Sequence, residues 1–484
     1  MTKYLIAGAV GIALLLGLTY WVYPEAISGM WAMFRSSWIV IIPGLALIAA
    51  GLWVAVVKDL VGTTFLLAGL GVVWLIVGGV FIHFQQESKM AESLVVEKTS
   101  PNELDFRDRA PFDVATATSS RTLGDTTGDA TGSLKAIPTA GKNGEYTTSV
   151  VRRGFAKGYE STQTLTPPLF GASTSKDVKF CEFDEDNELR FGGALFNNNL
   201  KRAIIHKTGP GIQVDQDDAF VVCDKKTPIV YAPVTTQKGF AVTNRVPAGV
   251  VTYNGKTGEL NYEKNYKGTL PVYPNTVATQ QRESLTASGS FFDWVFNRAG
   301  WETTEADAND PNGENRADFS MSNPDGTTHH YVTPLTPRGD STSIVALSTI
   351  DGSNMKNKTL NPIQVYKYES GESRQANSSI AARITGDVLG GYKAQGLSVF
   401  EIIPSSDGNW VASIGKDQSI LYRALIKEDG TITLSDKAED AQGDSKPKAD
   451  AKVKLDKPIE EMDEEELKDL GNQILDELAK RSVD

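Results

Sequence analysis

Two cysteines, four histidines and no run of lysine or arginine in 484 residues exclude several kinds of function at the outset. Cys181 and Cys223 have neither CxxC nor Cys/His spacing, so they form no zinc pattern. They allow one disulfide or two reduced thiols, and the sequence does not choose between them. With 60 acids against 48 bases and no basic cluster, the chain offers no footprint for nucleic acid and no polybasic patch for anionic lipid. GxxxxGK(S/T), GxSxG and HExxH are missing, as is GxGxxG after a strand. ASGSFF (287–292) places Ser290 after a glycine but lacks the flanking pattern and a partner histidine. Mixed Asp/Glu pairs are too numerous to single out a glycosidase dyad. The expectation is a protein that is not an enzyme, with no catalytic residues, no cofactor and no metal.

Charge is also scarce in one place. Residues 1–84 carry only Lys3, Glu25, Arg35, Lys58 and Asp59, which leaves 45 bases against 58 acids in the rest. Three apolar runs fill this part: 4–22, 38–57 and 61–84. Each approaches the ~20 residues that cross a hydrocarbon core, and Trp21, Tyr23, Trp38 and Trp53 lie near their ends. Ala7, Gly11, Gly62, Gly69, Gly71, Gly78 and Gly79 would let helices approach closely. The first run lacks an A-x-A cleavage site and reads as a retained helix rather than a signal peptide. The expectation is a three-helix transmembrane anchor over 1–84, with the lipid bilayer as its partner. Lys3 and Lys58 fall on one side, and Arg35 and Lys89 on the other. We read an inside N-terminus and an extracytoplasmic bulk.

Residues 85–145 read as a stalk, because TATSSRTLGDTTGDATGS (116–133) has no apolar period. From 146 to 437, short apolar runs alternate with Gly, Asn and Asp turns. Within them YAPVTTQKG and YVTPLTPRG share Y-x4-T-x-K/R-G at an offset of 100 residues. The shared positions are Tyr231, Thr236, Lys238 and Gly239, then Tyr331, Thr336, Arg338 and Gly339. NGKTG (254–258) between alternating strands is a hairpin signal, and 408–434 reads as a looser third copy. The repeat units are drawn at about 212–265, 317–370 and 398–437. Helices are expected over 275–301 and 373–396. The fold class is therefore α+β: antiparallel hairpin and small-sheet units with interspersed helices, behind a transmembrane anchor. A charged linker (438–458) precedes an acidic amphipathic helix (459–484) with Leu467, Leu470, Ile474 and Leu478 on one face. That helix would dock on its own domain or on a partner protein.

The adjacent His329 and His330 invite a metal hypothesis. Neighbours on a strand point to opposite faces, and Ile229 and Val230 occupy the matching places in the other copy, so both read as ordinary strand residues. EFDEDNE (182–188) starts like a calcium loop, yet Asn187 and Gly193 stand where Gly and Glu are required. In 307–318, Pro311 breaks the ligand series; this run and VDQDDAF (214–220) read as solvated turns.

Asn254–Glu259 (NGKTGE), with Asp351–Gly352 and Asp429–Thr431, resembles the turn of PepSY-type modules, a helix followed by a strand pair. More broadly, the chain resembles multi-pass membrane proteins of bacteria and their phages that carry a large extracytoplasmic region. Repeated small sheets with exposed edges can add a partner's strand and the tail helix offers a second contact, so the reading is a binding or assembly role at the cell envelope with a protein partner. It also leaves open inhibition of an envelope peptidase, a structural subunit of a membrane complex, homo-oligomerisation and a phage origin. No nucleic-acid partner is expected.

Overall fold

The computed structural model describes all residues except 1, 59–60, 124–128, 131–133, 139–143, 155, 172–177, 194–197, 304–318, 340–342, 370–372, 389–395 and 436–484. The chain divides into Met1–Asp436 and Lys437–Asp484. The second unit, and with it the expected tail helix, lies outside the described residues.

Three helices open the chain: α1 (Thr2–Val22), α2 (Pro24–Lys58) and α3 (Val61–Ala91). Two of them, not three, are long and apolar enough to cross a membrane among the described residues. In α1, Ala13–Val22 is a shorter apolar helix among the described residues. The other two outrun the expected 38–57 and 61–84. Pro24 suits a first helical position, and neither 25–37 nor QQESKMA (85–91) contains a proline. With 35 residues, α2 is about 52 Å long. It packs on α3 through glycine: a Cβ on Gly71 would meet the Gly44 carbonyl oxygen at 2.9 Å, and one on Gly51 the backbone of Thr64 and Ala68 at 3.1 Å. Gly78 also faces α2, whereas Gly11, Gly62, Gly69 and Gly79 face open space.

The segment expected to be a stalk is largely built into the fold. Strand Leu94–Val96 runs parallel to Ile363–Lys367, and α4 (Phe112–Thr122) packs Val114, Ala115 and Ala117 inward. Its threonines are tolerated because their hydroxyls bond the preceding turn: Thr118 Oγ1 donates to the Val114 carbonyl (2.7 Å) and Thr122 Oγ1 to that of Thr118 (2.7 Å). Burial of small residues, invisible to an apolar-period search, makes this helix.

Four antiparallel-based sheets follow. The first three share one pairing plan: two short strands pair with opposite halves of one long strand, and two further strands continue the sheet. In the first sheet, 129–130 and 135–137 flank Glu145–Val151, followed by Tyr159–Leu165 and Lys179–Glu182. In the second, Ile212–Val214 and Phe220–Asp224 flank Thr227–Lys238, followed by Asn244–Asn254 and Leu260–Glu263. In the third, Trp301–Thr303 and Phe319–Ser322 flank His329–Pro337, followed by Ala346–Asp351 and Ile363–Lys367. The fourth is a plain meander, Ser398–Pro404, Trp410–Lys416, Ser419–Ile426 and Ile432–Ser435. A two-stranded ladder, Tyr266–Lys267 with Asn354–Met355, links the second and third sheets.

Helices precede the sheets: α4 the first, α5 (Leu200–Thr208) the second, α6 (Asn275–Glu283) and α7 (Phe291–Val295) the third, α8 (Asn377–Arg383) the fourth. The single helix expected over 275–301 is thus two. Ser290 and Asp293 form a reciprocal capping box that starts α7 afresh. Likewise, 373–396 holds only α8 and one π-turn, Ile384–Val388, among the described residues.

The cores alternate along the series. Val230, Ala232 and Val234 pack with α5 and with Tyr159 and Phe183 from the first-sheet region. The opposite face of the second sheet meets Tyr331, Leu335 and Ile350 of the third around α6. Val332 and Leu347 then pack through α8 on Ile402, Trp410 and Ile414 of the fourth. Val114 of α4 touches Ile420, so α4 joins the last sheet to the first. Each buried Val, Ile or Leu contributes about 1.5–3 kcal/mol.

Candidate functional site

Of the shared repeat positions, the threonines, Lys238, Arg338 and the glycines serve the end of a long strand, and the tyrosines pack within it. Thr236 Oγ1 donates to the Gly211 carbonyl (3.0 Å), and Thr336 Oγ1 to that of Glu302 (3.3 Å), on the flanking side in each sheet. Gly239 and Gly339 leave their strands at φ +112° and +114°. Lys238 Nζ donates to the Lys358 carbonyl (2.9 Å). Arg338 donates to Glu302 Oε1 (3.1 Å), to the Trp294 carbonyl (2.9 Å) and to Asn297, tethering α7. Tyr231 stacks on Phe220 (5.3 Å), while the Tyr331 hydroxyl donates to the Tyr273 carbonyl (2.9 Å). These eight residues hold backbone and packing on two separate sheets rather than lining one cleft.

His329 is fully buried, and neither ring nitrogen has a hydrogen-bond partner; its backbone N–H donates to Ser353 Oγ (2.6 Å). His330, on the alternate side, is half-buried with Nε2 3.1 Å from Thr328 Oγ1. Burial pulls His329 well below its ordinary value, and the Lys135 and Arg109 cations add to that. Lys135, whose ammonium lies over the Tyr331 ring at 5.9 Å, is itself lowered by burial against the pull of Asp218 and Asp217. Asp218 is raised by burial even though it accepts from Thr276 N (2.8 Å) and Oγ1 (2.6 Å), bonds that cap the start of α6. Among the described residues no group of three or more metal-type ligands occurs.

A buried ion clasp lies in the supposed stalk. Arg109, 3 % exposed, grips Glu401 with both terminal nitrogens (2.8 and 2.9 Å). Its Nε donates to the Ser320 carbonyl (2.9 Å) and Nη1 to the Tyr146 hydroxyl (3.1 Å). Burial works against its charge, but Glu401 and Tyr146 outweigh that and the guanidinium is raised. Burial pushes Tyr146 up to about 12. Beside it Arg423 pairs with Asp108. One arginine thus joins the first, third and fourth sheets. Cys181 and Cys223, disulfide-bonded with Cα atoms 5.8 Å apart, join the first and second.

At the junction of helices and domain, the ends of the apolar runs carry the contacts. Arg35 donates to the Gly239 carbonyl, Trp38 Nε1 to that of Phe240 (3.1 Å), and the Trp38 and Phe240 rings lie 5.1 Å apart. On α3, Phe84 meets Phe291 (5.3 Å) and Trp294 (5.5 Å), and Trp294 Nε1 donates to Glu87 (3.0 Å). Gln86 Nε2 donates to the Ser36 carbonyl (2.9 Å), holding α2 and α3 together at that height. The α1 end is held by Arg202, which donates to the Trp21 carbonyl (2.8 Å). A cleft of about 410 Å³ opens here among Ser36, His83, Gln86, Asn244 and Arg245. A larger one, about 1150 Å³, lies beside the edge strand Lys179–Glu182, with Arg152, Lys157, Phe180, Glu185 and Asp186 on its walls.

Of the acidic runs, 182–188 closes a turn, with Asp184 Oδ1 accepting from Asp186 N (3.0 Å), and 214–220 is tied down by Asp218 and by Asp215 near Arg245 (3.8 Å). Residues 307–318 lie outside the described residues. No protein-family model, curated protein or solved structure matches the chain. Sequence reading missed the Arg109 clasp, since nothing local marks a partner 292 residues away. It also missed the α7 aromatics, for which FFDWVF (291–296) was a usable signal.

Proposed function

We propose that this is a membrane-anchored, non-enzymatic binding or assembly protein that carries its four-sheet domain on the extracytoplasmic side of the envelope. The observation that carries the reading is the contrast within α2 and α3. Leu45, Leu52, Trp53, Val56, Phe65, Leu66 and Val77 are exposed along their length, while their polar ends are bonded into the domain. Exposed apolar surface of that extent along 30-residue helices matches a lipid solvent. Because α2 leaves the domain and α3 returns to it, Val57 and Gly62 fall across the membrane from the sheets. The Cys181–Cys223 bond favours an oxidising compartment for the domain. The open strand edge Lys179–Glu182 and its cleft suit a protein partner that adds a strand. A second reading, a subunit of a larger membrane complex, draws on the open faces of Gly62, Gly69 and Gly79.

The test is Lys256→Cys, at an exposed hairpin turn, labelled in intact cells with a membrane-impermeant thiol reagent. The native cysteines are bonded and stay silent. Labelling before lysis is expected; labelling only after lysis would place the domain inside and overturn the sidedness.

A further inference from the structure

Large apolar side chains exposed on a sheet domain need a reason, and the three most exposed of them lie on loops beside the helices. Phe240 is 76 % exposed, Phe292 68 % and Phe296 59 %, with Val295 exposed between the last two. They come from two unconnected places: the loop after Gly239, and α7 with the residue that follows it. Positions 292, 295 and 296 form one face of a helical turn. Phe291 and Trp294 take the other face, against Phe84 of α3.

What fixes the level is the helices. Phe240 lies on Trp38, the first residue of the apolar run in α2, and Phe291 lies on Phe81 and Phe84, the last turn of the run in α3. Both loops are therefore pinned at the domain-side ends of the apolar runs 38–57 and 61–84. Aromatic side chains at that height sit at the boundary between acyl chains and headgroups. Arg298, exposed and stacked over Phe296 at 5.1 Å, supplies a cation beside them. Such a cation reaches headgroup phosphates while its stem lies on apolar surface.

We propose that Phe240 and the Phe292–Val295–Phe296 face insert into the phospholipid interface beside α2 and α3. The domain would then be seated on the membrane by two loops of its own as well as by its helices. This rests on the membrane reading above. It adds that the sheets lie against the bilayer, so that a partner reaches them from the side or from the top.

Single cysteines at Phe240, Phe292 and Val295 in the full chain, spin-labelled in phosphatidylcholine nanodiscs, test this by collisional accessibility. Leu52, mid-run on α2, and Leu421, on the fourth sheet, serve as lipid and aqueous references. The ratio of oxygen to nickel-chelate accessibility at the three sites is expected to exceed that at Leu421 several-fold, approaching that at Leu52. Nickel accessibility matching Leu421 while Leu52 stays in lipid would overturn the proposal and leave the membrane reading standing. An aqueous Leu52 would remove both. Protection from both reagents, with spin–spin broadening at Val295, would mean that a second copy covers the face and would also overturn it. Phe240 lies on a separate loop from α7, so it still decides the matter if the α7 variants fail to fold.

Discussion

The second and third sheets share their pairing plan, their Thr and Gly strand ends and an offset of 100 residues, yet they are held in place by different chemistry. Opposite Tyr231 stands Phe220, which stacks on it; opposite Tyr331 stands Ser320, whose carbonyl takes Arg109. The second sheet is tied to the first by the Cys223 disulfide, the third to the first and fourth by a buried ion pair. The turn before the long strand differs too. Lys225 and Lys226 both adopt positive φ in the second sheet, where the third uses Gly326. A repeated backbone therefore constrains few side chains: those that end a strand are kept, and those that meet neighbours diverge with the neighbours.

The clasp should show the largest effect. Glu401→Ala leaves Arg109 charged and buried without its carboxylate, a loss of about 3–5 kcal/mol. Thermal unfolding should show a larger fall than for Glu263→Ala on the second sheet, whose carboxylate is exposed. Equal falls would deny the third sheet its separate tie.

The matched glycines come next. Both Gly→Ala changes strain the backbone by about 1–3 kcal/mol. A Cβ at Gly239 also runs into the Val242 carbonyl, whereas at Gly339 it meets nothing within 4 Å among the described residues. Gly239→Ala should therefore lower the melting temperature more than Gly339→Ala. The reverse order would show that the Val242 contact does not set the cost.

The smallest effect is acid sensitivity. His329 is held neutral in the fold, below its unfolded value near 6.5, so the unfolded chain binds the extra proton. Stability is then present above that value and falls as pH drops through it, with a slope of up to about 1.4 kcal/mol per pH unit for one proton. His329→Ile, the residue of the matching position 229, should flatten the melting-temperature profile between pH 7 and pH 5. An unchanged profile would place the titration elsewhere.

Much of the architecture was legible because it is written in short windows. The apolar runs gave α2 and α3, NGKTG gave its hairpin, and Gly239 and Gly339 sit at positive φ where their motif ends a strand. The site was less legible. α4 hides in Ser/Thr-rich sequence, because its burial comes from small residues under a sheet rather than from an apolar stripe. The first sheet's use of the same pairing plan left no motif to find.

The sequence by itself determined where the apolar helices fall and where strands turn, since those depend on local hydrophobicity and on the φ that a residue tolerates. Only the tertiary structure decided that Arg109 and Glu401, 292 residues apart, form one buried pair. It also decided that Cys181 meets Cys223, and that Phe240 and α7 stand level with the ends of the helices. Such contacts depend on how sheets stack in space, and no window of sequence carries that information.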